Sequence, residues 1–113
     1  MSEHITIRPS GGTWVVRAGG AVLAETGRAL ELREGGYPPV IYIPREDVAM
    51  AFFEPSATRS VCPHKGEASY FSFVGKSGTV KDAAWIYETP KADVTPIAGH
   101  LAFYLTKVTL EHV

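Results

Sequence analysis

Apolar and polar residues alternate in short runs along most of this chain, the period expected of half-buried β-strands. Ile5 and Ile7 alternate with His4, Thr6 and Arg8, and Trp14, Val16 and Ala18 alternate with Thr13 and Arg17. Gly19-Gly20 is a two-residue hairpin signal, which predicts that Ala21–Ala24 returns as the paired strand. Over Arg28–Glu34, Leu30 and Leu32 oppose Glu31 and Arg33. Val40–Ile43 is apolar on both faces, which predicts a central strand covered on each side.

Pro44 cannot donate to a ladder and ends that strand. Glu46 and Asp47 suit the positive end of a short helix running to about Phe53, stopped by Pro55. Glu54–Ser60 reads as a polar connection. Beyond Gly66 the chain is extended through Val74, turns at Gly75–Gly78, and extends again over Val80–Glu88. Pro90–Gly99 reads as an irregular crossover. Gly99–Val108 closes the pattern as a strand with Leu101, Phe103 and Leu105 inward. Many short strands at this spacing predict two packed antiparallel sheets.

At 113 residues the chain fits one domain, 1–113, and can bury a core without disulfides or a metal. The net charge is −1 and Lys and Arg are scattered. No concentrated positive face is available to displace counterions from phosphates, so no nucleic-acid partner is expected. The stretch Met1–Arg8 is not an apolar signal, and no run is long enough to span a bilayer; no membrane partner is expected and the cytoplasm is the default location. The single cysteine, Cys62, excludes an internal disulfide and cysteine-paired zinc sites. His4, His64, His100 and His112 show no metal-ligand spacing, so neither a metal nor another cofactor is expected. No GxSxG, GxxxxGK[ST] or HExxH motif occurs.

Chemistry concentrates in Cys62-Pro63-His64-Lys65-Gly66. Pro63 fixes its own φ and biases Cys62 toward extended geometry, while Gly66 permits turns or close ligand approach. A neighbouring His or Lys can raise a thiol's thiolate fraction. Cys62 is therefore either a small buried hydrophobe or a reactive thiol, and Lys65 either a solvated charge or an anion contact. His64 reads first as an exposed turn residue. Arg45-Glu46-Asp47 reads as helix-start electrostatics, with Asp47 either a cap or a partner for Arg or Lys. Tyr42, Tyr70, Trp85, Tyr87 and Tyr104 fall on predicted strands, where they either pack the core or line a cavity.

Taken in order, Val22-Leu23-Ala24-Glu25-Thr26, Val40-Ile41-Tyr42-Ile43-Pro44 with Asp47-Val48, Cys62-Pro63-His64-Lys65-Gly66 with Ala68 and Tyr70, Ala84–Pro90, and Ala102-Phe103-Tyr104 resemble the family known as domain of unknown function 427. The resemblance runs through almost the whole chain. It implies a mainly β fold, two antiparallel sheets in a β-tent-like arrangement with one short helix. Similar tents in other families are often pinned by zinc on cysteine pairs, and some bind ligands in aromatic cages or reduce methionine sulfoxide with a cysteine. This chain lacks the cysteine pairs and a second, resolving cysteine. The family's provisional nucleotidyltransferase label finds little support, because metal-assisted transfer needs clustered carboxylates: Glu46–Asp47 is the one close acidic pair beside the unremarkable Glu31 and Glu34, and adjacent residues on a helix point in different directions. In the family pattern Cys62, Pro63, Lys65 and Gly66 match, while position 64 is outside the motif.

The first functional expectation is a module that holds a small, anionic ligand between the sheets. Tyr42, Tyr70, Trp85 and Tyr87 would line the pocket, Gly66 would allow close approach, and Lys65 and Arg45 would supply charge. The second is an enzyme with Cys62 as a reactive thiol or Lys65 as an electrostatic stabiliser. The third is a protein-interaction or homodimer module using an exposed strand edge.

Overall fold

The computed structural model describes residues 4–113, so the first three positions of the amino-terminal stretch lie outside it. The described residues form ten strands: β1 Ile5–Pro9, β2 Trp14–Ala18, β3 Ala21–Thr26, β4 Leu30–Glu34, β5 Val40–Pro44, β6 Phe53–Cys62, β7 Gly66–Gly75, β8 Gly78–Ile86, β9 His100–Phe103 and β10 Thr109–His112. Seven make one sheet in the order β1-β4-β5-β9-β8-β7-β6, and three make a second in the order β10-β2-β3. Every pairing is antiparallel. The β2–β3 hairpin turns where the double glycine predicts, with Gly19 and Gly20 both at positive φ, as the twist-matched two-residue turn requires.

Because side chains alternate across a strand, the central strands of the large sheet feed two separate cores. Ile43, Ala84, Ile86, Leu101 and Phe103 pack with Val16, Leu23 and Ala24 of the small sheet. Their sequence neighbours Tyr42, Tyr87 and Ala102 face the other way and pack with Leu32, Ala68, Val94 and Ile97. Val94 and Ile97 come from the 3-10 segment Ala92–Ile97, which covers this second face. The apolar-on-both-faces reading of Val40–Ile43 thus corresponds to a strand with a core on each side.

Three local expectations change. The short helix forms only as two 3-10 turns, Arg45–Asp47 and Met50–Phe52. Val48 between them is extended, with φ −104° and ψ 136°. Its neighbourhood bonds the small sheet instead: Val48 bridges Ala24, and the Ala49 N–H donates to the Leu23 carbonyl at 2.8 Å. The polar stretch Glu54–Ser60 is not a connection but part of β6, an edge strand whose polarity reflects its exposure. An edge also tolerates Pro55. The closing strand stops at Phe103; the chain turns at Tyr104, whose carbonyl accepts from the Lys107 and Val108 N–H groups, and returns as β10 beside β2. Leu101 and Phe103 are buried as expected, but Leu105 lies in the turn and is 64% exposed.

Asp47 acts as a tie rather than a helix cap. Its Oδ2 accepts from the Thr26 hydroxyl at 2.7 Å and from Arg28 Nη2 at 3.1 Å, clamping the β3–β4 connection to the turn after β5. These contacts, the Thr26 hydrogen bond first, hold the Asp47 carboxyl below the ordinary carboxylate range. Among the described residues no helix is long and apolar enough to cross a membrane.

Candidate functional site

Register brings the aromatic residues together. Tyr70 of β7 pairs with Trp85 of β8, and Trp85 pairs with Ala102 of β9. Ile43 pairs with Leu101, so the next antiparallel step sets Tyr42 against Ala102. Tyr42, Ala102, Trp85 and Tyr70 therefore form one row across four adjacent strands, all on the second-core face. The methyl group of Ala102 leaves space between its bulky neighbours. Tyr42 and Trp85 meet edge to face with centroids 6.5 Å apart, and the indole N–H reaches the Tyr42 hydroxyl at 3.4 Å. Tyr104, just past β9, lies 4.6 Å from Trp85 and stacks 6.5 Å from Tyr70.

These side chains wall a cavity of about 240 Å³. Tyr87, Leu32 and Val40 extend the wall, and Tyr37 and Pro38 sit at its border. Glu34 and Lys65 bring charge to it. Lys65 Nζ lies 2.6 Å from Glu34 Oε1, with side chains 11% and 14% exposed respectively. The same ammonium is 3.8 Å from Cys62 Sγ. Lys65 is aimed inward by the β6–β7 turn: its N–H donates to the Cys62 carbonyl at 3.2 Å, and its carbonyl accepts from Lys91 N–H at 2.9 Å.

The phenols are held in their neutral, donating form. Burial pushes Tyr42 up to about 12, opposed by the indole hydrogen bond from Trp85 and reinforced by the neighbouring Cys62 and Glu34. Burial raises Tyr87 as well, with Tyr42 and Cys62 adding to it. Tyr104 is pushed up to about 12, by burial first and then by the neighbouring Tyr70 hydroxyl.

Of the residues singled out from sequence, Tyr42, Lys65, Tyr70, Trp85 and Tyr87 converge on this cavity. Cys62 stands beside them, half-buried and packed against the second core. Gly66 does not line it. Its φ of +113° is what the turn requires, and the space around an added Cβ is ordinary, with the nearest atoms at 3.7 Å. Arg45 lies elsewhere, 2.6 Å from Glu88 and with its guanidinium 5.8 Å from the Phe71 ring centroid. It follows the strand-ending Pro44, where the chain leaves the Tyr42 face for a 3-10 turn. His64 borders a different hollow, with His4, Pro63 and Lys91. Among the described residues no group of three His, Cys, Asp or Glu side chains could hold a metal ion.

Sequence reading missed Glu34 and Tyr37, and it gave Tyr104 only as a strand aromatic. The signal for Glu34 was present: Leu30, Leu32 and Glu34 share one face of β4, so a carboxylate continues an inward row. Tyr37 sits in the turn where its N–H bonds the Glu34 carbonyl at 3.0 Å, a loop position with no periodicity to read.

No match was found among curated proteins. Residues 6–113 match the family labelled NTP_transf_9, described as a domain of unknown function (DUF427), and the chain belongs to that family.

Proposed function

We propose that this domain binds a small molecule in the cavity walled by Tyr42, Tyr70, Trp85, Tyr87 and Tyr104, with its polar end on the Glu34–Lys65 pair. The observation that carries this reading is the convergence of five aromatic side chains on one largely buried ion pair. An apolar wall with a few convergent polar groups is the usual composition of a small-molecule site. The volume of about 240 Å³ lies below the roughly 300–1,000 Å³ of drug-sized pockets, so the ligand part held here is a single ring or its equivalent.

The ion pair also selects the polar end. An anion placed on the Lys65 ammonium would stand beside the Glu34 carboxylate, whose Oε1 is 2.6 Å from Nζ, and like charges that close in a largely buried site are unfavourable. An uncharged group offering both a donor and an acceptor leaves the pair intact. It can accept from the ammonium or a phenol and donate to the carboxylate. This favours a neutral head such as a carboxamide over the anionic ligand that Lys65 alone suggests.

The test is titration with benzamide and benzoate, followed by the Trp85 indole N–H resonance, with the remote Trp14 as internal control. Binding of so small a ligand is expected near millimolar Kd, about −4 kcal/mol. Benzamide should shift Trp85 and not Trp14, and Trp85→Leu, read by saturation transfer to the ligand's own resonances, should abolish binding. Tighter binding of benzoate would overturn the neutral-head choice. No response of Trp85 to either compound, or to a broader set of neutral and charged aromatics, would overturn the site.

A further inference from the structure

The large sheet is held together at its middle by very little. β5 and β9 share only the pairs Ile43↔Leu101 and Pro44↔His100. β5 begins at Val40 and β9 continues to Phe103, so Tyr42 would next face Ala102, Ile41 would face Phe103 and Val40 would face Tyr104, but the paired ladder stops at Ile43↔Leu101. One step further lies Pro39, which has no N–H to extend it. The strands diverge there and leave a second cavity of about 210 Å³, between residues 39–41 on one side and 103–105 on the other. Leu110 of β10 lies at its far wall and Trp85 at its near wall.

This cleft shares Val40, Trp85 and Tyr104 with the aromatic cavity. The two spaces are neighbours across those three side chains. Each alone falls short of the roughly 300–1,000 Å³ of small-molecule sites, and together they fall within that range. Their chemistry is complementary. The first carries the ion pair and the phenols. The second adds Pro39, Ile41, Phe103, Leu105 and Leu110, with no charged side chain along it. Leu105 lies at its border and is 64% exposed.

The geometry points to an amphipathic ligand: a compact uncharged polar head on Glu34–Lys65 and an apolar tail that passes Trp85 and Tyr104 into the β5–β9 cleft. This rests on the binding reading above and adds the ligand's class to it. The tail is assigned to the cleft because the cleft shares Val40, Trp85 and Tyr104 with the head site, so a chain extended past those side chains would meet apolar walls.

The experiment is an affinity series of benzamide and its 4-alkyl derivatives, methyl to hexyl, on the full chain. A methylene moved from water into an apolar cleft contributes about 0.8 kcal/mol, so affinity should rise about fourfold per carbon until the cleft is filled. Leu105→Glu, at an exposed position that folding does not need, should cut the gain per carbon to twofold or less. Leu110→Ala should do the same for the longest members, with thermal denaturation checking that it folds. A flat series with benzamide itself binding would overturn the tail and leave the head site standing. A rise insensitive to both substitutions would also overturn it, since the chain would then be resting elsewhere. No binding by any member would overturn both readings.

Discussion

Lys65→Met should destabilise the fold far more than the loss of a surface charge would. The Glu34 and Lys65 side chains are only 14% and 11% exposed, and their charged atoms are 2.6 Å apart. Removing one partner of a buried pair typically costs roughly 3–5 kcal/mol, because the survivor stays desolvated and unpaired. An exposed pair contributes roughly 0–1 kcal/mol. This pair borders an open cavity, so water can reach the survivor and the cost should be about 2–4 kcal/mol. The double variant Glu34→Leu/Lys65→Met leaves no orphan charge and should recover most of the loss. A double-mutant cycle by urea unfolding, with unchanged m-values, should give a coupling of at least about 2 kcal/mol. In thermal denaturation each kcal/mol corresponds to roughly 4 °C or more in a domain of this size. If the single variants lose under about 0.5 kcal/mol and add independently, the pair behaves as a surface bridge and the electrostatic argument for a neutral ligand head fails with it.

Gly66→Ala should cost about 1–3 kcal/mol, all of it backbone strain at φ +113°, since the nearest atoms to the added Cβ stand at 3.7 Å; urea unfolding measures it, and a loss below about 0.5 kcal/mol would show that the turn relaxes. Asp47 titrates lower in the folded than in the unfolded chain, so its contribution is present above the unfolded value of about 3.9 and disappears as pH falls through the folded one. Asp47→Asn should therefore lower stability at neutral pH and flatten the stability profile below about pH 4, and parallel profiles for the two proteins would refute the tie. Tyr42 runs the opposite way: its folded value of about 12 exceeds the unfolded value of about 10, so its neutral form favours folding below pH 10 and that stability is lost as pH rises toward 12. Tyr42→Phe should reduce the alkaline loss, read by circular dichroism against phenolate absorbance, and an unchanged alkaline midpoint would mean that Tyr42 ionises without unfolding.

Periodicity made most of the strands legible because a period of two survives wherever one face is buried. Val40–Ile43 announced two covered faces, and Tyr42 at 1% and Ile43 at 0% exposed occupy one each. It failed where polarity had another cause. β6 is polar because it is an edge, and Val48–Ala49 left the helix to bond Ala24 and Leu23, partners about 25 residues away that no local pattern names. β10 is four residues long and pairs with β2 from the opposite end of the chain. The candidate site divides the same way. Its aromatics were visible as strand residues on consistent faces, and Lys65 as part of a turn built around Gly66. Arg45 was misplaced because proximity in sequence to Tyr42 says nothing about the direction the chain takes after Pro44.

Glu34 carries the argument furthest beyond fold. A leucine there would continue the inward row of Leu30 and Leu32, and replacing a buried ion pair by apolar groups is often neutral or stabilising. Folding alone therefore gives little reason for a carboxylate at that position and an ammonium opposite it. A binding site gives one, since the pair presents a donor and an acceptor side by side at the end of an aromatic wall. The two explanations separate in the Glu34→Leu/Lys65→Met protein. If it folds as stably as the wild type and no longer shifts its Trp85 resonance with benzamide, the pair exists for the ligand. If it is markedly less stable while benzamide still binds, the pair is a structural bolt between β4 and the β6–β7 turn, and the polar end of the ligand must be sought at the phenols instead.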